Sequence, residues 1–471
     1  MKIQFTNPSY DREKLKAGIA HIGVGNFHRA HQAYLIDSIL KMPGNENWAI
    51  CGIGLLEKDR EILERMKSQN YLYSLTEFSF DNKHKSHVIG SIIEYLHALD
   101  EKEKVIEKLA DPYIKIISFT ITEGGYNIDK ASGEFIFSSP LIQEDLANPK
   151  NPKTLFGILL EGLNRRYERN EQPPTLLSCD NLKNNGSILK RALLAFSKKI
   201  NPKTAKWIED HVSFPNSMVD RIVPFVEEKK IHFLNKLNEL EDKTPVFSED
   251  FIQWVIEDHF SSGRPPLEKV GVVFSDKVNL YENAKIYLLN ATHSMIAYPA
   301  WLCGYKNMDE VIENPLFKKY AQEFLDEIAS VIHLPENFDV ENYKSTLLKR
   351  FSNKAIRDQI DRLAMDGASK IPTFILPSLK KFFKKGEDNK KISFLMAAYG
   401  EYLSLCNDFS KEPYLSKIDR EKAKDIEDFL DTTIFRALNL KKENNFYASY
   451  KQNRIDIQKG DILEVLKNTL A

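Results

Sequence analysis

Residues 19–37 run IAHIGVGNFHRAHQAYLID, and the triplet Gly23-Val24-Gly25 inside this stretch decides how the N-terminal half folds. A short apolar run precedes the two glycines, and a helix-like run, HRAHQAYLIDSIL, follows them. Strand, glycine turn and helix in that order are what a dinucleotide-binding turn requires: the glycines let the backbone approach a pyrophosphate, whose charge suits the helix N-terminus. A full GxGxxG pattern would place a third glycine at residue 28, where this chain has His28. The third glycine serves helix–strand packing, so its replacement weakens the match without removing the phosphate contacts. A plain tight turn with two glycines is the alternative, and this fragment by itself leaves both open.

A chain of 471 residues is too long for one compact core and predicts two large domains, or one domain with a helical partner. Hydrophobic residues make up 42% and charged residues 28%, as in ordinary globular proteins. Lysine and arginine total 66 against 67 acidic residues, so no overall positive field exists to gather nucleic acid. The four cysteines, at 51, 179, 303 and 406, show no CxxC spacing, which argues against a disulfide framework or a zinc site and fits a reducing compartment. The opening MKIQFTNPSYDREK lacks the apolar core of a secretory signal, and no apolar run reaches the roughly 18 residues needed to cross a membrane. The expectation is a soluble cytoplasmic protein with neither a membrane nor a nucleic-acid partner.

Apolar runs at 19–25, 48–55, 114–121, 175–179 and 270–274 each end near Gly, Ser, Asp or Asn, with helical patterns such as 29–41 and 101–110 between several of them. That alternation predicts an α/β domain with a largely parallel sheet. The stretch 205–260 adds helix-like pattern broken at Pro215, Pro224 and Pro245. Beyond about residue 276 the periodicity is helical throughout: 279–298, 308–332, 339–350, 353–365, 373–384, 391–406, 420–436 and 460–470. The predicted architecture is a Rossmann-like domain over 1–275 and a mostly α-helical domain over 276–471, with an active site expected in the cleft between them.

Two sets of residues carry chemistry. Glu57 follows the second apolar run and is placed to accept the adenosine ribose hydroxyls, which would favour NAD. Lys58 beside it would welcome a 2′-phosphate, so NADP is not excluded. Arg29, at the start of the first helix, is a candidate to neutralise pyrophosphate, against a plain ion pair. His28 and His31 are expected to pack that helix, His84 and His87 to lie in a polar surface loop, and Cys179 to be a buried small residue. The second set lies in YENAKIYLLNATHSMIAY, residues 281–298. On a regular helix Lys285, Asn290 and His293 fall within an arc of about 140°, with Leu288, Leu289 and Ile296 as apolar surroundings. A lysine beside apolar surface can act as a general base, and an asparagine amide can stabilise a developing alkoxide. An amphipathic helix with an exposed lysine explains the same pattern and stays open.

Gly-x-Gly-x-Phe-His-Arg-Ala-His and Lys-x4-Asn-x2-His-Ser together resemble the polyol-specific long-chain dehydrogenase/reductase family. The resemblance continues through ITEGGY (121–126), SCDNL (178–182), FPNSMVDR (214–221) and RLAMDGASK (362–370), and so covers nearly the whole chain. It implies a Rossmann-like domain paired with a helical one and a metal-independent reaction. Lys285 matches the catalytic base, Asn181 and Asn290 the oxyanion-binding pair, and Glu123 a glutamate passing the lysine's proton toward solvent. His293, Asp220, Arg362 and Lys370 match substrate-binding positions, and Gly23, Gly25 and Phe27 the cofactor turn. The implied function is NAD-dependent interconversion of a polyol and a ketose, D-mannitol and D-fructose first, by a monomer. A hexuronate reductase and a catalytically silent nucleotide-binding relative are the alternatives.

Overall fold

The computed structural model describes residues 8–129 and 132–471. Half of the N-terminal stretch read for the absence of a secretory signal, residues 1–7, lies outside the described residues. The chain divides into two compact units, one of residues 1–79 and 83–279, the other of residues 80–82 and 280–471.

The first unit is built on the predicted parallel sheet. Its strands are β1 (Ala17–Ile22), β2 (Ala49–Gly54), β5 (Ile92–His97), β6 (Ile116–Phe119) and β7 (Thr175–Ser178), in the order β5-β2-β1-β6-β7. All four pairings are parallel. Both faces are covered, so the strands are apolar runs rather than alternating ones. Ala20 and Ile22 of β1 join one apolar cluster, with Phe119 and Leu176; Ile19 joins another, with Ile116 and Leu177. The chain order turns over between β1 and β6, and ligands of open α/β sheets bind at the carboxyl ends of the strands at such a point. Gly23 follows β1, Glu57 follows β2, Glu123 follows β6 and Asn181 follows β7.

Among the described residues, six further strands lie outside that sheet. Strands β3 (Tyr73–Phe78) and β4 (His84–Ile89) form an antiparallel pair, and β9 (Val246–Glu249) runs parallel to β3. Strand β10 (Gln253–Ile256) joins β8 (Ser217–Asp220) antiparallel and β11 (Val273–Phe274) parallel. The run at 270–274, expected to be a strand of the α/β domain, thus supplies a two-residue strand to a separate sheet. The region 205–260, read as helical, folds as helices Pro202–His211 and Glu228–Asn238 with β8, β9 and β10 around them.

The second unit is helical among its described residues. Its central helix, Lys390–Leu405, is buried over most of its circumference and packs against Asn444–Gln458 and Ala291–Leu302. Three predicted helices break up, and the one over 308–332 divides at Asn314 into Met308–Glu313 and Pro315–Val331. In 353–365 only Ile360–Ala364 is helical, because the Asn353 side chain accepts the Ala355 N–H and Arg357 takes a left-handed conformation. In 420–436 the helix Lys417–Ala423 gives way to 3₁₀ turns. There the Asp425 carboxylate accepts the Glu427 and Asp428 N–H groups, and Asp419 accepts that of Thr433. Such local side-chain bonds compete with the helix ladder.

Candidate active site

The glycine turn is built as its sequence requires. Gly23 has φ +95°, donates its N–H to Ile53 O at 3.0 Å, and lies so close to Thr120 that a Cβ would overlap the Thr120 carbonyl oxygen. The Thr120 hydroxyl donates to Gly23 O at 2.6 Å and so ties β6 to the turn. Gly25 begins the helix Asn26–Ala30 and differs from Gly23: a Cβ there would meet nothing within 4 Å. The first glycine is demanded by the fold, whereas the second keeps clear a space over the helix N-terminus. This cradle fits a pyrophosphate.

His28 does inside the protein what a third glycine does by absence. Its ring is buried and stacks on His21 of β1, with centroids 3.4 Å apart and planes 13° apart. Burial pushes the His28 pKa well below its usual value and that of His21 down to about 3, so two neutral rings seal helix against strand. His21 is held by Ser118 Oγ at 2.8 Å and Thr120 Oγ1 at 3.0 Å.

Arg29 does not reach outward. Its buried guanidinium donates to Thr244 O at 2.5 Å and Asn26 Oδ1 at 2.7 Å and lies 5.3 Å from the Tyr73 ring. It therefore ties the first helix to the segment before β9, in place of the expected phosphate contact. Phe27 stacks on His31 at 4.9 Å. Glu57 is exposed, its side chain 76% accessible, and pairs with Arg60 at 2.9 Å. The carboxylate seated on the end of β2 is instead Asp59, whose Oδ2 accepts the N–H groups of Leu55 and Leu56 at 2.9 and 2.8 Å. Asp59 stands two residues beyond Glu57, the first acid after the strand. His84 and His87 lie on strand β4, not in a loop, and His87 Nε2 is 2.7 Å from Glu77 Oε2.

Glu123 sits on the short helix Thr122–Gly125 after β6, and Asn181 on the turn after β7; both are exposed. Asn185, also missed, braces that turn. Its Nδ2 donates to Asp180 O at 3.1 Å and Ser217 O at 2.8 Å, which links Asn181 to the strand ending in Asp220. Asp220 is buried, and its neighbour Arg221 donates to Ala30 O at 2.6 Å and pairs with Glu77. The strand end is thereby fastened to the first helix.

The second unit holds the other candidates, on a helix that is not regular. Lys285–Asn290 is a π turn between helices Val278–Ala284 and Ala291–Leu302, and the Ala291 N–H reaches back five residues to Ile286 O. On a regular α-helix five residues stand about 140° apart. With i→i+5 bonding, residues five apart come to lie one turn above each other. The π turn therefore gathers Lys285 and Asn290 onto one face, which the helical reading spread apart. Lys285 is 8% exposed, not a surface lysine. His293, one turn beyond Asn290, packs its ring 4.7 Å from Phe351. Glu282, a buried carboxylate one turn before Lys285, was not singled out in the sequence; the i,i+3 spacing was the available signal.

A second π turn, Ile371–Ile375, follows Lys370 directly and packs against the first. Pro372 and Pro377 explain it, since proline removes the i→i−4 bond and clashes with that carbonyl. Lys370 donates to Leu363 O at 3.1 Å, and burial lowers its pKa. Arg362 is more exposed and grips Asp358 through both oxygens at 2.6 Å. The helix start before Lys370 is capped from a distant segment: buried Glu412 accepts the Gly367 and Ala368 N–H groups at 2.9 and 3.0 Å. Among the described residues, no group of three or more His, Cys, Asp or Glu is arranged to hold a metal ion. Among the described residues, no helix is long and apolar enough to cross a membrane.

Burial, as the main cause, raises the Glu412 pKa from 4.5 to about 7. The native state then holds this proton more tightly than the unfolded chain. Stability from this group is full below about pH 4.5 and declines as pH rises to about 7, by up to roughly 3 kcal/mol. The urea midpoint is expected to fall across pH 5–7.5 in the native protein and to fall less in Glu412→Gln. Equal slopes would show that Glu412 does not titrate there.

A parallel sheet with a glycine turn at its switch point defines the class of dinucleotide-binding α/β proteins. Family models agree in detail: residues 17–269 match the mannitol dehydrogenase Rossmann domain and residues 277–454 the mannitol dehydrogenase C-terminal domain. The chain belongs to the mannitol dehydrogenase family. Similar proteins include a polyol:NADP oxidoreductase of Gluconobacter oxydans, 42% identical over 84% of this chain and 82% of that one. A mannitol 2-dehydrogenase of Neosartorya fischeri is 43% identical over 86% and 82%. Among solved structures, substrate-free D-sorbitol dehydrogenase superposes with a TM-score of 0.92, at 37% identity over 98% of this chain and 97% of that one. The Pseudomonas fluorescens mannitol 2-dehydrogenase, in ternary complex with NAD and D-mannitol, superposes with a TM-score of 0.85, at 38% identity over 98% and 96%.

Proposed function

We propose that this protein interconverts D-mannitol and D-fructose with NAD, using Lys285 as general base. The observation that carries the reading is the π turn that places a buried lysine and an asparagine amide on one helix face. When bound, the nicotinamide supplies the hydride acceptor. Lys285, as the free amine, takes the proton of the reacting hydroxyl. The amides of Asn290 and Asn181 donate to the oxygen as it gains negative charge. His293 binds a neighbouring hydroxyl, and Asp220, Arg362 and Lys370 take the remaining ones. Glu123 receives the proton from Lys285 and passes it to water.

Gly23, Gly25 and Phe27 are proposed to hold the cofactor, with the turn after β2, which Asp59 closes, at the ribose. The two glycines are separable by experiment. Gly23→Ala combines a left-handed alanine with a backbone overlap and is expected to cost about 2–4 kcal/mol of stability. Gly25→Val is expected to keep the native melting temperature and to weaken NADH about tenfold or more in a fluorescence titration. Unchanged NADH affinity in Gly25→Val would refute the cradle.

The activity is tested by following NADH and NADPH absorbance with mannitol, arabinitol, sorbitol, fructuronate and tagaturonate. Turnover of mannitol with NAD supports the proposal. NADP preference has a specific precedent in the polyol:NADP relative and in Lys58. Preference for a hexuronate, or NADH binding without turnover on any substrate, overturns it. We further propose a cytoplasmic monomer, which light scattering checks for mass.

A further inference from the structure

We propose that Asp180 is a positioning residue, whose carboxylate holds the turn carrying Glu123 in a strained conformation and in register with Asn181. The inference rests on the roles given to Glu123 and Asn181 above and adds the group that sets them.

Asp180 is buried at the carboxyl end of β7, one residue before Asn181. Its side chain reaches across to the segment after β6. Oδ2 accepts the Ile121 N–H at 3.1 Å, and Oδ1 accepts the Thr122 N–H at 2.9 Å. The Tyr126 hydroxyl donates to Oδ2 at 2.7 Å and lies 2.5 Å from Ser178 Oγ. One carboxylate therefore grips both ends of the segment that contains Glu123.

What it grips is strained. Thr122 has φ +61°, and a β-branched residue in the left-handed region is an outlier costing on the order of 1–3 kcal/mol. Two successive N–H groups turned toward one anion compensate that cost, because the conformation presents them together as a concave donor pair. Without the anion, the segment relaxes toward an ordinary turn and carries Glu123 with it. Such strain persists only where the surroundings over-determine it, and here it falls beside two candidate catalytic groups. The same residue's backbone carbonyl accepts from Asn185, so the grip on the first segment and the brace on the Asn181 turn meet at one position.

A double-mutant cycle in the full-length enzyme tests this, with Asp180→Asn, Glu123→Gln and the double variant. Asparagine keeps the size but puts a donor where one N–H must be accepted. Glu123→Gln alone is expected to lower kcat about tenfold, and Asp180→Asn by about 10- to 100-fold with NADH affinity nearly unchanged. The double variant should be no slower than Asp180→Asn, because Glu123 is already misplaced. Independent factors that multiply would overturn the proposal. A second readout needs no turnover: amide exchange over residues 119–127 in unliganded enzyme should quicken about tenfold or more in Asp180→Asn. Unchanged exchange would also overturn it. If Asp180→Asn does not fold, Tyr126→Phe, which removes one of the three bonds, carries both readouts with smaller effects. A Glu123→Gln variant with native kcat would remove the proton-relay role assigned above, while amide exchange would still decide whether Asp180 holds the turn.

Discussion

Lys285→Ala is expected to lower kcat for mannitol oxidation by about 10³-fold while leaving NADH affinity within about twofold of the native value. The size follows from the chemistry: a carbinol cannot lose hydride readily while it keeps its hydroxyl proton. A positioned base is worth some two to four powers of ten. Affinity is spared because the glycine turn proposed to hold the cofactor belongs to the first unit and Lys285 to the second. The side chain is buried, so alanine leaves a cavity in which a small primary amine can stand in for the missing group. Partial restoration by methylamine or ethylamine, rising with amine concentration, would mark the loss as loss of a base. Near-native turnover in Lys285→Ala would end the assignment.

Asn290→Ala is expected to cost about 10²–10³ in kcat, with a much smaller change in KM. A donor aimed at charge that exists only in the transition state contributes little to substrate binding. Hydride transfer should then limit turnover, so that the deuterium isotope effect on kcat with 2-deuterated mannitol rises above that of the native enzyme. Asn290→Asp preserves shape but sets a carboxylate against the developing alkoxide, and should be at least as slow as alanine. A rise in KM at unchanged kcat would instead place Asn290 among ground-state contacts.

The fold was legible where periodicity and punctuation agreed. The apolar runs ending at Gly25, Leu55, Ile121 and Cys179 each lie on a strand of the parallel sheet. Such strands are buried on both faces and need no alternation to be seen. Strands β8, β9 and β10 were not legible, because at four residues each they are too short for a pattern to stand out. The motif residues were legible as identities, but their surroundings were not. Arg29 turns inward because Thr244, more than 200 positions away, offers it a carbonyl. Asp59 covers the end of β2 because the turn folds back on itself, and no one-dimensional spacing rule announces that. Nothing within SCDNL marks Asp180, since its partners at Ile121, Thr122 and Tyr126 come from another loop.

The π turn at Lys285–Asn290 also bears on how the motif can be moved or redesigned. A designer drawing a helical wheel would put lysine and asparagine four residues apart, where a regular helix aligns them. This chain separates them by five and accommodates the additional residue by widening one turn. Lys-x4-Asn is therefore meaningful only together with that widened turn. Grafted into an ideal helix, the same letters would point two ways, about 140° apart. A scaffold meant to host this chemistry must import the defect along with the residues.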